Sequence, residues 1–153
     1  MKKIIAMLFA VTLCLTSAFA QPDNSPIGDW LRNGKEGWTL ISIEECKDKL
    51  CGSILKMELP QKDLLNDDQS MHDRDLEGIS ILSDLKTPNG RQWTGKLYDS
   101  EDGKNYTSVL SLKDPRTLKV ASCRDGGFCK TELWTRTIKA PLIQSSPNNN
   151  KKS

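Results

Sequence analysis

Residues 93–106 decide the fold that the sequence predicts, and they read WTGKLYDSEDGKNY. The pair Asp102-Gly103 is a turn signal, because glycine adopts the positive φ that tight hairpin turns require. Strand-forming residues lie on both sides of this turn, and aromatic residues stand near both ends of the segment. We therefore predict two antiparallel strands, over residues 91–98 and 105–112.

The chain on either side of this hairpin repeats the pattern of short strands and polar turns. The other predicted strands cover residues 27–32, 38–46, 51–57, 78–82, 118–123 and 129–138. Eight short strands without helical periodicity favour an all-β barrel or sandwich. We predict an eight-stranded antiparallel up-and-down barrel, with a split β-sandwich as the alternative. A barrel of this size has room for its own side chains or for one small ligand.

The first 20 residues are expected to be a cleaved secretory signal peptide. Two lysines precede an apolar run that is shorter than the roughly 20 residues of a membrane-spanning helix. Ala18 and Ala20 have the small-x-small spacing of a cleavage site. We expect cleavage near Ala20, one β-barrel domain over residues 21–140, and a disordered polar tail over residues 141–153. The mature protein would be periplasmic or secreted, without stable membrane insertion.

The mature chain is expected to be electrically neutral. Its 133 residues suit one domain with a single core. Its 20 basic and 20 acidic residues balance, so electrostatics do not favour nucleic acid or anionic lipid as a partner. We predict a monomer that binds no nucleic acid.

Four cysteines remain after the signal peptide: Cys46, Cys51, Cys123 and Cys129. An even number in an exported chain predicts disulfides, and four cysteines allow three pairings. The spacing favours the two local pairs, because each pair brackets a polar turn that could form a hairpin. A zinc site is the alternative, but the intervals exceed the usual two to four residues and an oxidising compartment opposes it.

Residues 58–77 form the longest polar stretch of the predicted domain. Connections of this length are uncommon in compact folds and are often functional. The segment is therefore either a solvated loop that covers one end of the barrel or a loop that controls access of a ligand.

Two residues near opposite ends of the chain are expected to meet in a closed barrel. Trp30 follows Gly28-Asp29 in the first strand, and Arg136 lies in the last strand. An arginine stacked on the indole would seal that end through a cation–π contact worth about 0.5–2 kcal/mol. This arrangement resembles that of the lipocalins and the wider calycin group, where the two residues have a structural role.

A closer resemblance covers nearly the whole mature chain. Its residues are Gly28 to Trp30, Ile43 to Cys46, Leu50 to Gly52, Asp63, Asn66, Asp68, Arg74, Leu76, Gly78 to Leu82, Trp93 to Gly95, Leu97 to Asp99, Gly103, Lys104, Tyr106, Trp134 and Arg136. In this order they resemble the bacterial family called domain of unknown function 2147. Ser100 and Asp67 depart from the pattern, which has proline there. The resemblance implies a small exported, calycin-like β-barrel without established activity.

Because the family supplies no catalytic residues, its polar and aromatic matches are the candidates for ligand binding. They are Asp63, Asn66, Asp68, Arg74, Trp93, Tyr98 and Tyr106. The alternative for Trp93 and Tyr98 is packing inside the barrel, since aromatic side chains bury large areas. The residues expected to be structural are Trp30, Arg136, Cys46, Cys51, Cys123 and Cys129.

Signatures of common enzyme classes are missing from the sequence. It has no Gly-x-Ser-x-Gly elbow, no His-Glu-x-x-His motif and no phosphate-binding glycine loop. His72 is the single histidine, and the acidic residues after Asp63 lack the spacing of a calcium loop. We expect no catalytic residue, no metal and no cofactor.

Three functions stay open at this point. We favour a non-catalytic periplasmic binding module for a small apolar or amphiphilic ligand. The alternative is an envelope protein-interaction module with a fully packed core. A hydrolase that uses loop carboxylates such as Asp63 and Asp68 is the third. The volume and polarity of the barrel interior would separate the first two.

Overall fold

Eight antiparallel strands make up the fold in a computed structural model that describes residues 24–125 and 127–137. The strands are β1 (Gly28–Gly34), β2 (Gly37–Cys46), β3 (Lys49–Met57), β4 (Ser80–Lys86), β5 (Gln92–Asp99), β6 (Lys104–Asp114), β7 (Thr117–Cys123) and β8 (Cys129–Arg136). The predicted signal peptide and polar tail lie outside the described residues. The predicted domain boundary at residue 140 lies outside them as well.

The barrel is closed, which confirms the predicted architecture. Each strand pairs with the next one in the sequence, and β1 pairs with β8 through Trp30 opposite Arg136 and Leu31 opposite Thr135. All of these pairings are antiparallel, including the central hairpin of β5 and β6. Closure excludes the split β-sandwich, which would leave unpaired strand edges.

Strand β4 differs from its predicted extent because it continues past residue 82 to Lys86. The polar residues Ser83 and Asp84 suggest an end to the strand, but Asp84 adopts a φ of 57° and the register with β5 shifts between Ser83 and Lys86. Such a bulge lets a strand bend and continue. Leu85 thereby returns to the buried interior.

Hydrophobic side chains fill the barrel interior. Alternate residues face inward, so Ser108 and Leu110 of β6 are fully buried while Thr107 is exposed. The buried hydrophobic residues are Trp30, Ile41, Ile43, Ile54, Met57, Leu76, Ile81, Leu82, Leu85, Trp93, Leu97, Tyr98, Leu110, Leu118, Val120 and Trp134. Because each is at most 9% exposed, protein atoms occupy the space around them.

The two ends of the barrel have different structures. At the loop end lie the β1–β2, β5–β6 and β7–β8 turns and the long connection from β3 to β4. At the opposite end, which we call the Arg136 end, β1 begins and β8 finishes. The helical structure among the described residues is one short 3-10 turn, Gln69–Met71, and no helix there is long and apolar enough to span a membrane.

Arg136 seals its end of the barrel. Its guanidinium carbon lies 4.2 Å from the centre of the Trp30 ring, and Nη1 donates a hydrogen bond of 2.6 Å to the Ile27 carbonyl. The Arg136 Nε also donates to the Pro115 carbonyl at 2.8 Å. Gly28 has a φ of 129°, and a Cβ there would lie 2.8 Å from Nη1. The Gly-x-Trp element therefore serves the packing of this arginine.

Both predicted disulfides are present. Cys46 pairs with Cys51 around the β2–β3 turn at the Arg136 end, and Cys123 pairs with Cys129 around the β7–β8 turn at the loop end. All four sulfur atoms are joined in disulfides, so no thiolate is left to bind zinc, and the alternative of a zinc site is excluded.

Candidate functional site

The long connection from β3 to β4 is organised around the buried carboxylate of Asp63. This side chain accepts hydrogen bonds from the Tyr98 hydroxyl, from Asn66 Nδ2 at 2.9 Å and from Arg74 Nε at 2.8 Å. Arg74 Nη2 also lies 2.6 Å from Asp63 Oδ2. Tyr98 projects from β5, so the network ties the connection to the barrel wall. Four predicted site residues are therefore brought together.

Mutual stabilisation within this network shifts two pKa values in opposite directions. Burial opposes ionisation of Asp63, but its hydrogen bonds with Tyr98, Asn66 and Arg74 outweigh burial and hold its pKa below the ordinary value. Burial and the neighbouring Asp63 carboxylate raise the pKa of Tyr98 to about 12. Asp63 is thus a charged acceptor with its hydrogen-bonding positions occupied.

Backbone contacts give the same connection a defined shape. The Asp63 amide donates to the Arg74 carbonyl at 3.1 Å, and the Leu76 amide donates to the Gln61 carbonyl at 3.0 Å. Gly103, in the β5–β6 turn, packs so closely on the Leu65 carbonyl that a Cβ would lie 1.7 Å from that oxygen. The connection is therefore a folded part of the domain.

Asp68 has a local role in this connection. Its carboxylate accepts a hydrogen bond of 2.9 Å from the Ser70 amide and caps the short 3-10 turn. This bond lowers the pKa of Asp68. With Asp63 engaged by three side chains and Asp68 by the cap, the structure offers no free carboxylate pair at these two positions for acid–base chemistry.

The other two aromatic candidates lie apart from this network. The Tyr106 hydroxyl donates to Asp102 and accepts from Arg124 Nη2 at 2.9 Å at the loop end. Trp93 lies at the Arg136 end and is 6% exposed. Both Trp93 and Tyr98 are thus largely buried, in keeping with the packing alternative for these residues.

A buried ion cluster lies at the loop end and was not predicted from the sequence. Arg32, 4% exposed, donates from Nε to Glu132 at 2.9 Å and from Nη2 to Asp99 at 3.0 Å. Lys130 lies 2.7 Å from Glu132, and the Trp134 indole donates to Glu132 at 3.1 Å. The available signal was alternation, because Arg32 and Glu132 each lie two positions from a buried tryptophan and so face the interior.

The cluster keeps its charges in a largely buried setting. Burial opposes the charge on Glu132, but hydrogen bonding and charge attraction from Arg32 lower its pKa to about 2. Burial likewise opposes the charge on Arg32, yet Glu132, Asp99 and Glu101 raise its pKa. The cluster therefore closes the loop end of the interior with paired charges.

A half-enclosed pocket of about 150 Å³ lies above Arg32 at the loop end. Met57 and Leu65 supply apolar walls, and Glu101 borders it from the β5–β6 turn. A more open cleft of about 500 Å³ lies beside it, with Tyr106 and the exposed Phe128 in its lining. The smaller pocket has the size of a single side chain rather than of a lipid.

Trp93 lies beneath two further clefts at the Arg136 end, of about 550 Å³ and 300 Å³. The apolar residues that line the larger cleft are Trp93, Leu50, Leu85 and Ile27, and we call them its floor because Trp93 and Leu85 are buried. The charged residues that line the two clefts are Lys47, Lys49, Lys86, Arg91, Glu45 and Asp48. Of the four cations, Lys49 is paired with Asp84 at 2.6 Å. An apolar floor under a mainly cationic rim suits an anionic amphiphile.

Metal-ligand spacing occurs within the described residues at Glu44, Cys46 and Cys51. Both cysteines are joined in the first disulfide, so neither offers a thiolate to a metal ion. This group is therefore not a metal site while the disulfide is intact.

Comparisons with known proteins agree with the fold. A family model described as an uncharacterised protein conserved in bacteria, DUF2147, matches residues 28–136. No curated protein matches the chain significantly. The chain is similar to the solved structure of protein HP1028 from Helicobacter pylori, described as belonging to the lipocalin family. That similarity has a TM-score of 0.68 and 24% identity over 75% of this chain and 84% of the other, and at this identity it shows the fold.

Proposed function

This chain belongs to the DUF2147 family of bacterial proteins, and from this premise and the geometry of its barrel we propose that it is an exported, non-catalytic binding protein for a small anionic amphiphile. The lipocalin-like fold supports a binding role, although folds alone do not determine function. The proposed site is the pair of clefts above Trp93, with no cofactor or metal.

The observation that carries the proposal is the distribution of polarity around Trp93. The apolar floor would receive the hydrocarbon part of the ligand, with a gain of about 25 cal/mol for each Å² of apolar surface removed from water. Lys47, Lys86 and Arg91 are exposed around the clefts and would attract a carboxylate or another anionic head group. The two clefts, of about 550 Å³ and 300 Å³, fall within the range of about 300–1,000 Å³ that is typical of small-ligand pockets.

The filled interior matches the packed core of the interaction-module alternative and leaves no room for a ligand inside the barrel, so the site of this proposal lies at an end of the barrel. Trp30 and Trp134 are fully buried inside the barrel, and the Arg32 cluster covers them toward the loop end. A hydrocarbon chain inside the barrel would have to displace these side chains. The ligand of this proposal therefore lies across the open clefts.

Export is part of the proposal. The signal-like segment before residue 21 supports secretion, and the two disulfides support an oxidising compartment such as the periplasm. In that compartment, cleavage near Ala20 would release a monomeric barrel with its ligand site free.

The test compares detergents of equal chain length and opposite charge. Mature protein is titrated with dodecanoate and with dodecyltrimethylammonium, and binding is followed by tryptophan fluorescence, to which Trp93 contributes together with three other tryptophans. We expect saturable binding of dodecanoate and much weaker binding of the cationic analogue. Native mass spectrometry of gently purified protein should show the same preference as extra bound mass.

Charge-reversal variants locate the site. Lys47→Glu and Lys86→Glu should each weaken dodecanoate binding about five-fold, equivalent to about 1 kcal/mol. Lys119→Glu is the matched control, because Lys119 is exposed on the outer face of β7 away from the clefts. Equal binding of both detergents, or equal losses in all three variants, would contradict the proposal.

A further inference from the structure

Exposed apolar side chains are concentrated on the connection from β3 to β4. Large hydrophobic residues with substantial exposure number seven among the described residues, and four of them belong to this connection. They are Leu59, Leu64, Leu65 and Met71, with exposed fractions of 59%, 63%, 58% and 38%. We call these four residues the leucine face. Exposed apolar groups that are concentrated on one part of a protein surface often mark interaction sites.

Acidic residues are interspersed with the leucine face along the same connection. Residues 58–77 contain seven carboxylates but only two cations, Lys62 and Arg74, which gives a net charge of −5. Both cations are engaged within the connection, since Lys62 lies 2.7 Å from Asp75 and Arg74 is paired with Asp63. Within residues 58–77, all of which the structure describes, the carboxylates outside the ion pairs are Glu58, Asp67, Asp68 and Asp73. The surface is thus both apolar and negative.

The leucine face is held in place before any partner binds. The Asp63 network, the Lys62–Asp75 pairing and the contact of Leu65 with Gly103 fix the backbone that carries it. Leu76 anchors the same connection in the hydrophobic core. A partner would therefore not have to order this segment, which lowers the entropic cost of binding.

The small pocket above Arg32 adjoins the leucine face. Leu65 forms one wall of the 150 Å³ pocket above Arg32, and Met57 forms another. Interfaces commonly derive most of their affinity from a few side chains that fill such pockets. The pocket provides one anchoring position beside the flatter acidic surface.

We propose that the leucine face and the acidic residues interspersed with it dock a basic, apolar segment of another exported protein. Charge complementarity selects this occupant. An anionic membrane surface would be repelled by the net charge of −5. A second copy bound symmetrically would place the same negative surface against itself. A segment that alternates cationic and apolar side chains satisfies both the leucines and the carboxylates.

The direct test uses two synthetic peptides of equal length and identical spacing, one built from leucine and lysine and the other from leucine and glutamate. Binding to the mature protein is measured by fluorescence anisotropy of the labelled peptides. The leucine–lysine peptide should bind, and the leucine–glutamate peptide should bind at least ten-fold more weakly. Equal binding of the two peptides would overturn the proposal.

Variants separate docking from general charge attraction. The pair Leu64→Ser and Leu65→Ser should weaken binding of the leucine–lysine peptide about ten-fold, and Asp67→Lys with Asp73→Lys should do the same. Leu133→Ser is the control, since Leu133 is 53% exposed on β8. Loss with the charge variant alone would indicate non-specific attraction and overturn the proposal. Circular dichroism melting confirms that each variant folds.

Crosslinking then tests the partner's chemistry in cells. A photoreactive residue is placed at position 64, with position 133 as the control site. A product specific to position 64 should map to an exported protein segment with net positive charge. Mapping to lipid, to a second copy or to an acidic segment would overturn the proposal. Lys86→Glu, at the other end of the barrel, should leave peptide binding unchanged, which separates this proposal from the amphiphile site.

Discussion

Asp63 shows how one buried carboxylate can order a long connection. It is 1% exposed, yet it stays charged because Tyr98, Asn66 and Arg74 direct their donors at its two oxygens. A neutral amide at this position would keep the shape of the side chain but would lose the charge and one acceptor oxygen. The surrounding donors would then lack their partner, which is costly in a buried setting.

We predict that Asp63→Asn lowers the free energy of unfolding by about 1–3 kcal/mol. The same substitution should lower the pKa of Tyr98 from about 12 toward its ordinary value of 10.0, since the adjacent carboxylate contributes to its rise. Urea unfolding measures the first effect, and phenolate absorbance measures the second in a chain with two tyrosines.

Asp67→Asn serves as the control for this prediction, because Asp67 is exposed on the same connection. Its effect on stability should stay within about 0.5 kcal/mol. An unchanged Tyr98 titration in Asp63→Asn would contradict the hydrogen bond that ties the connection to β5.

At the scale of elements, three strands meet in the Arg32 cluster. Arg32 comes from β1, Asp99 from β5, and Lys130 with Glu132 from β8. Pairing compensates the desolvation of these charges, so removal of a single partner leaves an uncompensated buried charge. The cluster therefore makes the alignment of β1 with β8 dependent on ionisation.

We predict acid destabilisation that is traceable to Glu132. Its pKa falls from 4.5 to about 2 on folding, so the unfolded chain takes up the proton first as the pH drops. The stabilisation is complete above pH 4.5 and is lost between pH 4.5 and about 2. This change amounts to about 3 kcal/mol at most.

Urea unfolding at pH values above and within this window checks the prediction. Glu132→Gln should be less stable than the wild type at neutral pH and should lose less stability on acidification. Glu44→Gln, at an exposed position on β2, should follow the wild type. If Glu132→Gln showed the full acid sensitivity of the wild type, another group would have to be responsible.

For the whole molecule, strand-forming runs and turn signals were sufficient to predict eight strands and a barrel, whereas complete closure between β1 and β8 is known from the structure. Spacing favoured the Cys46–Cys51 and Cys123–Cys129 disulfides, because both are local in sequence, and the structure contains both. The bulge at Asp84 and the Arg32 cluster were not predicted. They depend on register between strands and on residues up to 100 positions apart, which local patterns do not encode.

Only part of the candidate site was predictable, again because local sequence patterns do not encode contacts between residues that are far apart in the chain. The polar residues of the long connection stood out as a group, and the structure brings Asp63, Asn66, Arg74 and Tyr98 together. Composition did not show that these residues hydrogen-bond to one another and join the connection to β5. Neither could the position of Trp93 beneath clefts at the opposite end, because this depends on which residues border the mouth of the closed barrel.

We predict that the two disulfides contribute to stability independently. Each closes a short loop, so replacing one pair with alanine should lower the free energy of unfolding by about 2 kcal/mol. Because the bridges lie at opposite ends, the losses should add when both pairs are replaced. Urea unfolding of the two double variants and the quadruple variant measures this, and a barrel that unfolds after loss of one pair would contradict it.

Closure between β1 and β8 also has a kinetic consequence. Arg136 donates to the Ile27 carbonyl across 109 positions of the sequence, so the last ladder forms between segments that are far apart in the chain. Pairings between segments so far apart in the sequence form slowly. Until β8 is in place, β1 and β7 remain open edges that can pair with other chains. A protein truncated before Cys129 should therefore aggregate through these edges rather than persist as a seven-stranded sheet.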